Sequence, residues 1–166
     1  MISIITPTLW KAEELPYIAE QVLKHDKVGE LIIIDNAKDD RPDYEFLSHK
    51  KVKILEQEQN IFVNPAWNLG VKLAKNKYIC LINDDIYFNY TTLFNNFEKF
   101  IQQNSKLGLI GFNENARSKD PLSKLNDDND DLVLVDTTGI VPFAFGCCLF
   151  LKKEDYVNIY EDCKIF

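Results

Sequence analysis

Apolar and polar positions follow two rhythms along this chain, and their alternation gives a first map of the elements. Residues 2–6 form a short β-branched run stopped by Pro7, which predicts a buried strand with a turn after it. Leu15, Ile18, Ala19, Val22 and Leu23 recur at helical spacing, and Pro16 is tolerable in a first turn, so a helix follows. Gly29 introduces residues 31–34, a continuous apolar run of the kind found in strands covered on both faces; it ends at Asp35-Asn36, and residues 37–42 read as a polar turn. Residues 52–55 are a third candidate strand. Asn64-Pro65 reads as a helix cap followed by proline at the first helical position, opening a helix to about Lys75. Residues 78–82 are apolar throughout and end in Asn83-Asp84-Asp85, which predicts a fourth strand. Leu93, Phe94, Phe97, Phe100 and Ile101 then share one helical stripe.

Strand, helix, strand, strand, helix, strand, helix is the order of an α/β domain with a mostly parallel central sheet flanked by helices. At 166 residues the chain is expected to be one domain. Residues 113–131 hold six acids, three bases and few large apolar groups, so they read as one long polar loop. Apolar order returns at residues 132–135 and again at 143–151.

Composition narrows the choice of partner. Hydrophobic residues make up 46% and aromatics 12%, enough for a sizeable core. The 19 Lys and Arg against 26 Asp and Glu leave a net charge of −7, which argues against a nucleic-acid grip. If such a chain holds a phosphorylated ligand, something must neutralise the contact locally, and a divalent cation serves. Cys80, Cys147, Cys148 and Cys163 lack metal-site spacing and read as reduced thiols. With no signal-peptide pattern and no apolar window long enough for a membrane span, a cytoplasmic location is expected. His25 and His49 lie far from every motif and read as solvated. The glycine-rich and nucleophile-elbow signatures of other nucleotide-binding and hydrolase folds are missing from the sequence.

Open α/β sheets bind ligands at the carboxyl ends of their strands. Three strands here deliver polar residues to that edge: Thr6-Pro7-Thr8, Asp35-Asn36 and Asn83-Asp84-Asp85. Neighbouring carboxylates at a strand end are costly to keep ionised without a cation or donors. Hard divalent cations such as Mg2+ and Mn2+ take such oxygen ligands and leave positions open for phosphate.

In combination these segments resemble family 2 glycosyltransferases of the GT-A fold. Residues 2–8 are similar to that family's opening strand, and residues 30–36 to its second. Asn60, Ala66, Asn68 and Gly70 match the spacing N-x5-A-x-N-x-G of the helix after its third strand. Residues 78–85 are similar to its fourth strand, with a D-x-D metal motif here spelt Asn83-Asp84-Asp85. The resemblance implies a GT-A-like (Rossmann-like) sheet with a nucleotide-sugar half over residues 1–100 and an acceptor half over 132–166. It implies that Thr6, Pro7 and Thr8 line a nucleotide pocket and that Asp35 hydrogen-bonds the base, with Asn36 and Asn60 nearby. Asn68 would lie close to the nucleotide. Asp85 would ligate Mn2+ or Mg2+, and Asn83 and Asp84 would flank it on the diphosphate. Asp35 and Asp85 are expected at adjacent strand ends. The reaction implied is sugar transfer with inversion from a UDP-, GDP- or dTDP-sugar to a glycan or other hydroxyl acceptor.

Several positions depart from the pattern. Asn83 replaces the first acid of D-x-D, and Phe62 stands where glycine is usual. Trp67 suits a core position or ligand stacking equally. Gly139 and residues 145–153 resemble the acceptor-side element; its Lys152 and Lys153 suit either solvent or a phosphate. Glu161-Asp162 offers a base in Asp162, but early, and the sequence stops at Phe166, as a truncated transferase would. Two other readings follow: a degenerate nucleotide- or glycan-binding module without turnover, and a receiver-like signalling domain using Asp35, Asp84 and Asp85 as an acidic pocket.

Overall fold

A computed structural model describes residues 1–86, 89–104, 108–112, 132–134, 148–160 and 162–163. The long loop expected at 113–131, and Gly139, residues 143–147 and Glu161 of the acceptor side, lie outside the described residues. The described strands are β1 (Ile2–Thr8), β2 (Val28–Asp35), β3 (Val52–Glu56), β4 (Tyr78–Ile82), β5 (Ile110–Phe112), β6 (Leu132–Leu134) and β7 (Cys148–Lys152). They form one sheet in the order β3-β2-β1-β4-β7-β5-β6. Strands β3, β2, β1 and β4 run parallel, whereas β7 pairs antiparallel with β4 and β5, and β6 antiparallel with β5. Five strands therefore point one way. Strand order reverses between β1 and β4, because the chain builds outward to β3 before returning to the other side of β1. That reversal opens a crevice at the carboxyl ends of β1 and β4.

Three helices cover the sheet. α1 (Leu15–Lys24) buries Leu15, Ile18, Ala19, Val22 and Leu23, the stripe read from the sequence. α3 (Tyr90–Gln103) buries Tyr90, Leu93, Phe94 and Phe97, and Asn89 caps it by accepting a hydrogen bond from the Thr92 amide at 3.1 Å. Both pack on the sheet face that carries Ile2, Ile4, Leu31, Ile33, Cys80, Ile82 and Phe150. α2 (Val63–Leu73) covers the opposite face, against Ile5, Ile32, Ile34, Ile79 and Leu81. Both faces of β1, β2 and β4 are thus dry, which explains their unbroken apolar runs.

Three expectations change, and the open choice at Trp67 is resolved. Pro7 does not stop β1, which continues to Thr8. Pairing with β4 has already ended at Ile5, so the strand there has a free side that tolerates a missing N–H. Asn64 lies inside α2, whose cap position is Phe62. Trp67 is 4% exposed and belongs to the α2-side core. His25 is not solvated: its ring packs edge-on against Phe94 at 4.9 Å, and burial holds its pKa below the ordinary histidine value.

Gly70 is the point where α2 approaches β1 most closely. A Cβ placed there would lie 2.3 Å from Ile5 Cγ2, too close for either backbone to accommodate in place. Gly70→Ala is therefore expected to destabilise the fold by about 1–3 kcal/mol, read as a lower denaturation midpoint; an unchanged midpoint would show that α2 is free to move.

Candidate active site

At the carboxyl edge of β1 and β4 lies an open cavity of about 450 Å³. The end of β1 supplies Pro7 and Thr8 to it, and the following residues supply Leu9, Lys11 and Ala12. Asn36 comes from the end of β2, Asn60, Phe62 and Val63 from the entry to α2, and Asn83, Asp84 and Asp85 from the end of β4. Seven residues anticipated from the sequence are brought together here: Pro7, Thr8, Asn36, Asn60, Asn83, Asp84 and Asp85.

The three residues after β4 differ in environment. Asp85 is exposed, and Asp84 is half-buried. Burial raises the Asp84 pKa; a hydrogen bond from the Thr8 hydroxyl opposes that shift, and the charge of Asp85 adds to it. The Thr8 hydroxyl oxygen also accepts the Trp10 amide at 2.8 Å, so one side chain ties the end of β1 to the acid pair. Asn83 Oδ1 is buried without a hydrogen-bond partner. An orphaned amide oxygen beside two carboxylates is a set of hard oxygen donors, which fits a divalent cation better than any soft metal. Among the described residues no group of three or more His, Cys, Asp or Glu side chains is placed to hold a metal alone. The ligand's own oxygens and water would have to complete the coordination.

Asp35 behaves differently from its expected role. It is fully buried. Its Oδ1 accepts the Trp10 indole N–H at 2.7 Å and the Ala37 amide at 3.1 Å, and its Oδ2 accepts Arg41 Nη1 at 3.2 Å. Arg41 continues to Glu56 at 2.6 Å, so the ends of β2 and β3 are joined through one guanidinium. Nor is Asp35 adjacent to the metal motif in the sheet, because β1 lies between β2 and β4. A ligand reaching this carboxylate must displace Trp10 or Arg41. The receiver-like reading fails on the same geometry, since a phospho-acceptor must be open to its donor.

Three other anticipated residues lie outside the cavity lining. Thr6 is completely buried below it, with an unpartnered hydroxyl. Asn68 faces away from the cavity: its Oδ1 accepts the Tyr156 hydroxyl at 2.6 Å and the Ile159 amide at 3.0 Å, and its Nδ2 donates to the Ile159 carbonyl at 2.8 Å. With the bond from Asn64 Nδ2 to the Cys163 carbonyl, it straps the segment after β7 onto α2. Asp162 sits exposed in a turn of that strap. Lys152 lies opposite Tyr78 at the amino end of β4, and Lys153 Nζ bonds the Ala74 carbonyl beyond α2, so neither approaches a phosphate in this cavity.

Sequence reasoning missed Lys11 and Leu9, although both follow directly on a strand that ends at the ligand edge. It also missed Arg41 and Trp10. For Trp10 the signal was backbone conformation, which residue type conceals: Trp10 has φ 60°, and Phe62 has φ 65° with ψ −177°. The second combination is close to glycine-only territory and costs about 1–3 kcal/mol. The glycine usual at position 62 is therefore explained by backbone geometry.

The glycosyl transferase family 2 model matches residues 3–158. A search of curated proteins found no match. Among solved structures, a mannosyltransferase from Pyrobaculum calidifontis, in complex with GDP-Man and Mn2+, superposes with a TM-score of 0.53 at 17% identity, over 65% of this chain and 34% of that one. S. aureus TarS 1-349 gives 0.49 at 20% identity, over 61% of this chain and 32% of that one. The chain thus spans about a third of the length of these structures.

Three outcomes are expected here. Asp35→Asn turns one oxygen of a saturated buried acceptor into a donor, so it should cost about 2–4 kcal/mol in chemical denaturation. Asp85→Asn, at an exposed position, should stay within about 0.5 kcal/mol of the native chain. At position 62, Phe62→Gly should be more stable than Phe62→Ala by about 1 kcal/mol, because both lose the ring and only alanine keeps the strained Cβ; the reverse order in thermal melts would remove the strain argument.

Proposed function

Because the chain belongs to glycosyl transferase family 2, we propose that it transfers a sugar from a nucleoside-diphosphate sugar to an acceptor hydroxyl, with Mn2+ or Mg2+ at the end of β4. One observation carries this reading: Asn83, whose buried Oδ1 has no hydrogen-bond partner, lines the same cavity as Asp84 and Asp85, at the topological switch point of the sheet. Asp85 and Asp84 would hold the cation, with Asn83 Oδ1 as a neutral third oxygen. Bound there, it would supply Lewis-acid stabilisation of the charge that develops on the leaving diphosphate.

The remaining work falls to groups of the chain. Lys11 offers a fixed positive charge at the cavity wall and so favours the diphosphate independently of any metal. Leu9 and Phe62 offer apolar surface to a sugar or base ring. Thr8 holds Asp84 in place through its hydroxyl. Asp35 acts at one remove: it fixes Trp10 and Arg41, and through them the walls against which a base would lie. Asp162 is exposed and does not line the cavity, so we assign it no role as the general base, which must stand within one hydrogen bond of the acceptor. Comparison supports the donor only as a class: a fold relative was solved in complex with GDP-Man and Mn2+.

A binding module without turnover is the second reading, favoured by Asn83 in place of an acid. Calorimetry with UDP, GDP and dTDP, with Mn2+ and again after EDTA, tests the shared premise. Binding should vanish on chelation and weaken at least about tenfold in Asp85→Ala, roughly the loss of one strong charged contact. Metal-independent binding that Asp85→Ala leaves intact would overturn the proposed cation site. Release of free nucleotide from a UDP- or GDP-sugar panel then separates transferase from binding module.

A further inference from the structure

The amino-terminal edge of the sheet, at the end opposite the nucleotide cavity, carries a second cavity of about 340 Å³. Its wall includes Gly29, Glu30, Lys50, Lys51, Lys53 and Lys75. We propose that this cavity is an anion site for a phosphate group bearing two or more negative charges. The proposal stands independently of the nucleotide reading.

Its first support is charge. The chain as a whole is at −7, yet four lysines surround one concavity. Lys51 is spent on structure, donating to the Leu23 and His25 carbonyls at 3.1 Å each. Among the described residues, Lys50, Lys53 and Lys75 pair with no carboxylate. Like charges gathered around a concavity repel one another, and a bound anion relieves that repulsion. Lysines act as point charges on phosphate, without the planar geometry that a carboxylate–arginine pair requires.

Its second support is construction. The floor is a closed network: Glu30 Oε1 accepts the Ser3 hydroxyl at 2.7 Å and the Lys75 amide at 2.6 Å, and Asn76 Nδ2 donates to Ser3 Oγ at 3.0 Å and reaches Glu30 Oε1 at 3.5 Å. Gly29 leaves room for this arrangement, since a Cβ there would stand 2.5 Å from Asn76 Nδ2. Lys53 pairs in register with Ile32, which faces α2, and so projects toward the chain leaving that helix at Lys75. Among the described residues Glu30 is the one carboxylate on the wall; it is 8% exposed and its Oε1 already carries these donors.

The test uses the whole chain, isotope-labelled and kept in EDTA so that metal-dependent binding at the other edge is silent. Inorganic pyrophosphate should shift the amides of Gly29, Lys53 and Asn76, and Lys53→Glu/Lys75→Glu should weaken that binding about tenfold or more. Lys53→Gln/Lys75→Gln carries the same test if the reversal disturbs folding. In a second arm, phosphatidylcholine vesicles with and without phosphatidic acid are sedimented with the protein. Pyrophosphate shifts without co-sedimentation assign a free phosphate ligand. Co-sedimentation that needs phosphatidic acid and is lost in the double variant assigns a lipid headgroup. Neither response, shifts confined to Lys11 and Asn83, or binding indifferent to both double variants would overturn the site.

Discussion

A single buried charge organises the ligand edge of this domain. Asp35 ends β2 with no exposed surface, so its carboxylate must find every partner inside the protein. It does so by drawing in three separate pieces of chain: the indole after β1, the amide of Ala37, and the guanidinium of Arg41, itself bonded to Glu56 at the end of β3. Trp10 reaches that position only in a left-handed backbone conformation. The strain is local and the compensation is electrostatic, a trade that fixes the wall from Leu9 to Ala12 against the crevice. The cavity shape therefore depends on a residue that does not line it.

Much of the fold was legible because two-sided burial leaves a plain trace. The unbroken apolar runs of β2 and β4 and the stripe of α1 are direct consequences of a sheet covered on both faces. What pattern does not encode is order in space. The position of β1 between β2 and β4 separates Asp35 from Asp85, and the antiparallel entry of β7 next to β4 comes from residues distant in sequence. Pro7 was misread for the same reason: whether a proline ends a strand depends on whether a neighbour needs its N–H.

The site was legible at its strand ends and illegible at its helix. Thr8, Asn36 and Asn83 to Asp85 sit where any parallel sheet presents polar residues, so their convergence follows from topology. Asn68 shares a motif with Asn60, but Asn60 precedes α2 whereas Asn68 lies within it, on a side claimed by the segment running through Tyr156 and Ile159. An amide bonding one residue's N–H and C=O together mimics a strand partner, which spacing alone does not distinguish from ligand contact. His25 was invisible as a core residue, and Trp67 stayed undecided between core and ligand, because their burial is supplied by Phe94 and by the α2-side cluster.

The spelling Asn83-Asp84-Asp85 has an electrostatic consequence that the resemblance does not supply. With an acid at position 83, three carboxylates would crowd the end of one strand, and Asp84 is already pushed up by burial and by Asp85. An amide keeps an oxygen at that position while removing one negative charge from that balance. The cost falls on cation affinity, since a neutral oxygen attracts a divalent ion less than a carboxylate does. Under the proposed reading, Lys11 on the wall of the same cavity would partly offset that loss by attracting the diphosphate directly. On that reading, neutralisation of a bound diphosphate would be shared between a cation and a fixed lysine, at a cavity whose described lining carries two carboxylates, Asp84 and Asp85.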